Sequence, residues 1–351
     1  MTAGSRVAIP AAGYLPRVPG ESWLELISKV SLAKAVGMAK CRQVFSTWAD
    51  SNGHSYYRAT LCQQRDVCVT CSWVYNEELV AGTMELYRQI CNSTGAKVDF
   101  VECTLTLPPS AQRLVRNEML GVLRRTGFEA VNEVLSEEGR FVLGSVGSTH
   151  HWHSESPLKG WFPHVDFTVL GLAYEKDKER FVPIDLYLKG ERLERFNRLW
   201  RSRFIAAFGQ VRTVRFVIYW HYGSGYATAE HRFGYQFRRP VLETFQAIGK
   251  LGSLSRVNIG WVRQMLIRPK NEKRHQWYGY LSDGIKSRYL QKLGLSIERK
   301  SVRDRVRRKA YCPDCGDELV CVGHGTPYEE LQKEAGSRIL KFRGQRRASS
   351  W

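Results

Sequence analysis

The sequence contains no apolar run of about 18 residues, the length a membrane-spanning helix needs. Its first stretch, MTAGSRVAIPAAGYLPRVPG, lacks the apolar core of a secretory leader. The expected location is the cytoplasm, with no membrane partner. Acidic side chains are also in short supply, 34 Asp and Glu against 53 Lys and Arg, which leaves a net charge of +19. A surplus of that size points to a polyanion, most often nucleic acid, because neutralising phosphates releases condensed counterions. Internal repeats are absent as well.

What is present is an ordinary globular composition, 43% hydrophobic and 12% aromatic, in a chain of 351 residues. That length suits one large domain with appendages or two to three smaller ones. Apolar spacing predicts helices over Glu21 to Ala39, Tyr75 to Ser93, Ser110 to about Val134, Glu191 to Phe208 and Tyr226 to about Arg239. Strands are expected over Val98 to Leu107, Phe141 to Trp152, Pro163 to Gly171 and Val211 to Tyr222. The resulting order from Val98, β, α, β, β, α, β, α, suits an α+β fold, an antiparallel sheet with helices on one face, and not a doubly wound parallel sheet. The expected divisions are an N-terminal extension and helix (1–40), a cysteine-rich zinc knuckle and helix (41–96), a core (97–250), a basic extension (251–310), and a zinc ribbon-like module with a basic tail (311–351).

Seven of the nine cysteines fall into two groups, which in a reducing compartment favours metal over disulfides. Cys62, Cys68 and Cys71, with Cys41 or His54 as fourth ligand, have the thiolate content of a structural zinc site. Cys312, Cys315, Cys321 and His324 form the second expected zinc set, where Pro and Gly suit a tight turn that aims amides at sulfur. Cys91 and Cys103 read as core residues. From Lys286 to Lys309, ten of twenty-four residues are Lys or Arg against two acids, so Arg307, Arg308 and Lys309 are expected on DNA.

The stretch PHVDFTVLG sets His164 and Asp166 two apart, on one side of a strand whose other side is apolar. An imidazole nitrogen and a carboxylate oxygen so placed can share a divalent cation, and a mixed N/O donor set suits Mg²⁺ or Mn²⁺. Glu102, on the first strand with Thr104 and Thr106 on its face, is a candidate third ligand. The cluster THHWH (His150, His151, His153) fits no ligand set by its spacing and is expected to be solvated or to touch DNA.

The strand FVECTLTLP, then PHVDF, then the tyrosine-bearing helix HRFGYQFRRP together resemble the HUH endonucleases, the rolling-circle replication initiators and related single-strand transposases. The resemblance spans about Val98 to Pro240 and departs from the family pattern where its second histidine is Asp166. It implies a ferredoxin/RRM-like core and a catalytic Mg²⁺ or Mn²⁺. It also implies Tyr235 as the nucleophile that leaves a 5′-phosphotyrosyl link to single-stranded DNA, at a plasmid or phage origin or a hairpin, with host helicase and polymerase as partners. Tyr226 is the other tyrosine option, although nine residues put it on the opposite side of the helix. His231 shares the Tyr235 face, and Arg238 and Arg239 are expected on DNA. A transposase of the same chemistry, a non-catalytic zinc DNA-binding regulator, and an RNA-binding sheet are the alternatives.

Overall fold

The computed structural model describes residues 23–41, 43–94, 98–136, 140–150, 162–175, 177–212, 216–238, 274–282, 290–291, 294, 310–312 and 314–327. Arg239, Arg307, Arg308, Lys309, His151 and His153 lie outside them. The described residues fall into two compact units, one from 23–74 with 310–327, the other from 75–238 with 274–294. No helix among them is long and apolar enough to cross a membrane.

In the first unit the single helix expected before Ala39 is two, α1 (Trp23–Val30) and α2 (Leu32–Ala39). The break falls at Ser31, whose hydroxyl accepts the Lys34 N–H and caps α2. The buried Trp23 indole donates to the Val67 carbonyl at 2.8 Å and ties α1 to the cysteine-rich segment. A hairpin follows, β1 (Val44–Ala49) and β2 (Ser55–Ala59). Its free side is taken by β10 (Glu318–Pro327), which also pairs with β9 (Ala310–Tyr311), giving the antiparallel order β2-β1-β10-β9. The two cysteine-bearing segments, expected at 41–96 and 311–351 as separate modules, thus contribute strands to one sheet. Local periodicity carries no signal for a pairing between segments this far apart.

The second unit takes up α3 (Val69–Thr94) from Tyr75 onward. It continues with β3 (Phe100–Leu105), a short α4 (Pro109–Gln112), α5 (Leu120–Leu135), β4 (Arg140–His150), β5 (His164–Glu175), β6 (Arg180–Pro183), α6 (Glu191–Phe208), β7 (Ile218–Gly223), α7 (Tyr226–Gln236) and β8 (His275–Tyr278). The sheet is antiparallel, in the order β7-β3-β5-β4-β8, with β6 on the far end of β5. Over the four adjacent strands β7-β3-β5-β4 the chain order is β-α-β-β-α-β, a split βαβ arrangement. β7 starts later than expected because the Asn197 side chain of α6 occupies both the N–H and the carbonyl of Phe216. β5 runs on past Gly171, whose lack of a Cβ admits the Asp99 carbonyl, 2.9 Å from where that atom would sit.

Alternate residues of a strand point to opposite faces. Val101, Cys103 and Leu105 of β3 and Val165, Phe167 and Val169 of β5 pack with Leu123 and Val131 of α5 and Phe196, Trp200 and Phe204 of α6. Phe100, Val146, Leu170 and Leu172, on the other side, pack with Val80, Met84 and Ile90 of α3 and with Ala229 and Phe233 of α7. Helices therefore cover both faces, not the one expected, because α3 and α7 each carry an apolar stripe that needs a partner. The second face is apolar only at one end. At the other end it presents Glu102, Thr104, Thr106, Ser148, His150, His164, Asp166 and Thr168.

Gly147 on β4 faces Phe167, and a Cβ there would come within 2.5 Å of that ring. Gly147→Val should cost about 1–3 kcal/mol; a urea-unfolding midpoint equal to that of the parent would contradict this packing.

Candidate metal and nucleophile site

The polar end of the second sheet face is built by register. His150 is the last residue of β4 and pairs with His164, the first of β5; Ser148 pairs with Asp166, and Thr104 of β3 lies on the other side of Asp166. Asp166 is fully buried, and neither carboxylate oxygen accepts a hydrogen bond. Facing it are imidazole nitrogens, His150 Nε2 at 3.4 Å and His164 Nε2 at 3.9 Å. His164 Nδ1 lies 3.0 Å from the Phe162 carbonyl, which only accepts, so Nδ1 carries a proton and Nε2 is the nitrogen turned toward Asp166. Asp166 is thus a buried carboxylate without hydrogen-bond donors, set between two imidazoles.

Helix α7 closes this end. Gln236 anchors it, its amide donating to the Asp166 carbonyl at 2.6 Å and its oxygen accepting from the Thr168 hydroxyl at 3.1 Å. One residue earlier, the Tyr235 ring stacks on His150 with centroids 5.1 Å apart, and His150 in turn stacks on His164 at 5.5 Å. The Arg238 guanidinium lies over the Tyr235 ring at 4.9 Å. Sequence-predicted Tyr235, His164, Asp166 and Arg238 are thus brought together.

Glu102 is on the same face and buried, and it forms an ion pair with Arg232 of α7. Burial, and then the Asp166 carboxylate, push its carboxyl above the usual range, with Arg232 pulling it back. His231 is exposed, and the side chain that its turn sends to the sheet is Arg232. Tyr226 packs edge-on to Tyr87 beneath Arg88, away from the histidines. Tyr222 is engaged elsewhere, donating to the Leu186 carbonyl and accepting the Leu188 N–H.

Two residues of this cluster escaped the sequence reading. His150, expected to be solvated or to touch DNA, is 2% exposed and central to the stack. Its signal was alternation along β4, which puts Val146, Ser148 and His150 on one face, but the partner strand could not be read locally. Arg232 carried a weaker signal, one turn before Gln236.

Of the two fourth ligands left open for the first cysteine group, Cys41 lies with the other three and His54 does not. Cys41, Cys62, Cys68 and Cys71 bring their sulfurs within 4.8 Å of one another, with contacts of 3.4 to 3.6 Å. A zinc tetrahedron with Zn–S bonds of about 2.3 Å sets sulfurs about 3.8 Å apart, so the set can hold zinc, and no pair is a disulfide. The Cys62 thiol is pushed far down by hydrogen bonds from the other three, whereas Cys71 is driven up by its contacts with Cys41 and then Cys62. Deprotonating all four would set thiolate beside thiolate, a repulsion that a bound cation removes.

The second set differs from expectation. Cys312 and Cys315 meet Asp50 and His54 from the β1–β2 hairpin, with all four ligand atoms within 4.8 Å. Asp50 Oδ1 accepts the Asn52 and His54 N–H groups and shapes the turn. Its Oδ2 lies 2.7 Å from His54 Nδ1 and 3.1 Å from Cys315 Sγ. Burial opposes ionisation of Asp50, but hydrogen bonds from Cys312, Cys315 and His54 outweigh it and hold the carboxyl well below the usual range. Gly316 follows at φ +82°, closing the knuckle that returns its N–H to the Cys312 carbonyl. Cys321 and His324 instead pair with each other on β10, at 3.5 Å. Their register explains this: they face Trp48 and Ser46 within β1, while the Cys-x2-Cys turn reaches the hairpin tip beyond it. This set of two thiolates, an imidazole and a carboxylate can hold a metal such as zinc.

Comparison with known proteins gives no match to a family model, a curated protein or a solved structure.

Metal analysis of the full chain should find two zinc ions. Cys62→Ser and Cys315→Ser should each reduce the count to one, whereas Cys321→Ser should leave both; loss of an ion in Cys321→Ser would restore the ligand set expected from spacing.

Proposed function

We propose that this chain is a metal-dependent enzyme that nicks and joins single-stranded DNA through Tyr235, as the HUH initiators of rolling-circle replication do. The observation that carries the reading is the buried Asp166 carboxylate, without a hydrogen bond to either oxygen, set between His150 and His164 beneath the Tyr235 ring stack. The departure at Asp166 has a local compensation: His150 supplies a second imidazole from the neighbouring strand. The β-α-β-β-α-β order, and a helix after β7 that returns its tyrosine to the sheet face, also agree with a ferredoxin-like HUH core.

His150, His164 and Asp166, with Glu102 alongside, would hold Mg²⁺ or Mn²⁺, a hard cation that polarises a phosphate oxygen and stabilises charge in the transition state. The chain's own groups do the rest. Tyr235 attacks phosphorus with its phenolic oxygen, the proton leaves to solvent, and the 3′ oxygen departs and takes up a proton. The product is a 5′-phosphotyrosyl link and a free 3′-hydroxyl, which primes synthesis by host helicase and polymerase. Gln236 fixes the helix register that sets Tyr235 over His150, and Arg238 contributes positive charge beside the phenol. The net charge of +19 draws the polyanion to the site.

The test incubates the protein with Mn²⁺ and labelled single-stranded DNA from the replicon that encodes it, and scores SDS-resistant adduct. Tyr235→Phe should form none while binding the DNA within about twofold of the parent, since its ring still stacks. His150→Ala should slow adduct formation at least as much as loss of an outer-shell metal partner, roughly 10- to 100-fold. Adduct from Tyr235→Phe at the parental rate would reject this nucleophile.

A further inference from the structure

Tyr219 and His221 are successive same-face residues of β7, the end strand of the sheet order, and both are exposed, Tyr219 by 49%. Their rings are nearly parallel, with planes 8° apart and centroids separated by 6.4 Å. That separation is close to two residues of strand rise, so the backbone itself sets it. It is also close to twice the roughly 3.4 Å rise of a stacked base. Two nearly parallel rings with centroids this far apart match the dimensions of a sandwich that takes one flat ring between them.

The slot is continuous with the site described above. Tyr219 pairs with Thr104, which pairs with Asp166, and His221 pairs with Glu102. Tyr219 is therefore two strand spacings from Asp166, about 10 Å, or about three stacked nucleotide rises. The path between crosses Thr104, a polar side chain of the same face. The apolar helical cover of that face lies toward Phe100, Leu170 and Leu172, at its other end.

We infer that Tyr219 and His221 form a base-stacking slot that grips an unpaired nucleotide of single-stranded DNA flanking the one at His164 and Asp166. Stacking between ring faces requires an unpaired base, so the slot selects single-stranded over duplex DNA, and it tolerates any base because each has a π-face. The inference rests on the single-strand DNA reading for its occupant, but not on the chemistry at Tyr235.

The experiment uses the full chain in EDTA, so that no cleavage occurs, with fluorescent oligothymidylate as the probe. Tyr219→Ala/His221→Ala should weaken binding roughly 5- to 100-fold, the loss expected for one base stacked on aromatic rings. Tyr219→Phe/His221→Phe, which keeps both faces, should stay within about threefold of the parent. A bromodeoxyuridine-substituted oligothymidylate, irradiated on the parent protein, should cross-link to the peptide that carries Tyr219 and His221, a readout that needs no variant. Parental affinity in the alanine pair, an equal loss in the phenylalanine pair, or cross-links confined to other peptides would overturn the slot. Tighter, equally slot-dependent binding of oligouridylate would overturn its assignment to DNA. A cross-link at the slot with no Tyr235 adduct would reject nicking and leave the slot standing; an adduct without the cross-link would reject the slot alone.

Discussion

Asp166 is a carboxylate in the middle of a sheet face, with no hydrogen-bond donor for either oxygen, and much of the surrounding architecture answers to it. Burying an unpaired charge costs several kcal/mol unless a partner arrives. The partners on offer are two imidazoles, His150 from β4 and His164 from β5, too distant to satisfy it by themselves. Glu102 adds a second buried carboxyl on the same face, raised by burial first and by the Asp166 carboxylate second, and it pairs with Arg232. A cation among these groups would relieve all of it at once. The Gln236 clamp makes sense in the same frame, since it binds the Asp166 backbone and so fixes the helix that carries Tyr235 to the strand that bears Asp166.

The other unit solves a different problem. Its sheet is small, and its two ligand sets close loops whose ends would otherwise be held by few apolar contacts. One set joins Cys41 to the knuckle at Cys62, Cys68 and Cys71. The other joins the tip of the β1–β2 hairpin to the turn that precedes β10, across more than 250 residues of sequence. Metal binding in such sites is folding free energy, because no preformed site exists in the unfolded chain. The second set also offers a carboxylate as a candidate metal ligand, Asp50, where burial opposes ionisation but hydrogen bonds from Cys312, Cys315 and His54 hold the carboxyl well below the usual range.

Much of this was legible from residues alone, and the limits have a common cause. The helix over Glu191 to Phe208 coincides with α6, because its apolar stripe and the glycines at its ends are local signals. His164, Asp166 and Tyr235 stood out by alternation and by motif. His150 was passed over, and Cys321 and His324 were placed in the wrong set, because each depends on which strand lies beside which. Spacing along a chain proposes ligands within a segment; it cannot supply Asp50 and His54 to a turn that begins at Cys312. The second helical layer was missed for the same reason, since the stripes of α3 and α7 were visible but their sheet partner was not.

The claim on which the rest turns is that Asp166, with His150 and His164, binds a hard divalent cation. Mn²⁺ titration followed by electron paramagnetic resonance, on zinc-loaded parent protein and on Asp166→Asn, addresses it without DNA and without turnover. The account predicts one bound Mn²⁺ in the parent and none in Asp166→Asn, an isosteric change that removes only the charge. Equal Mn²⁺ binding by both proteins would contradict it.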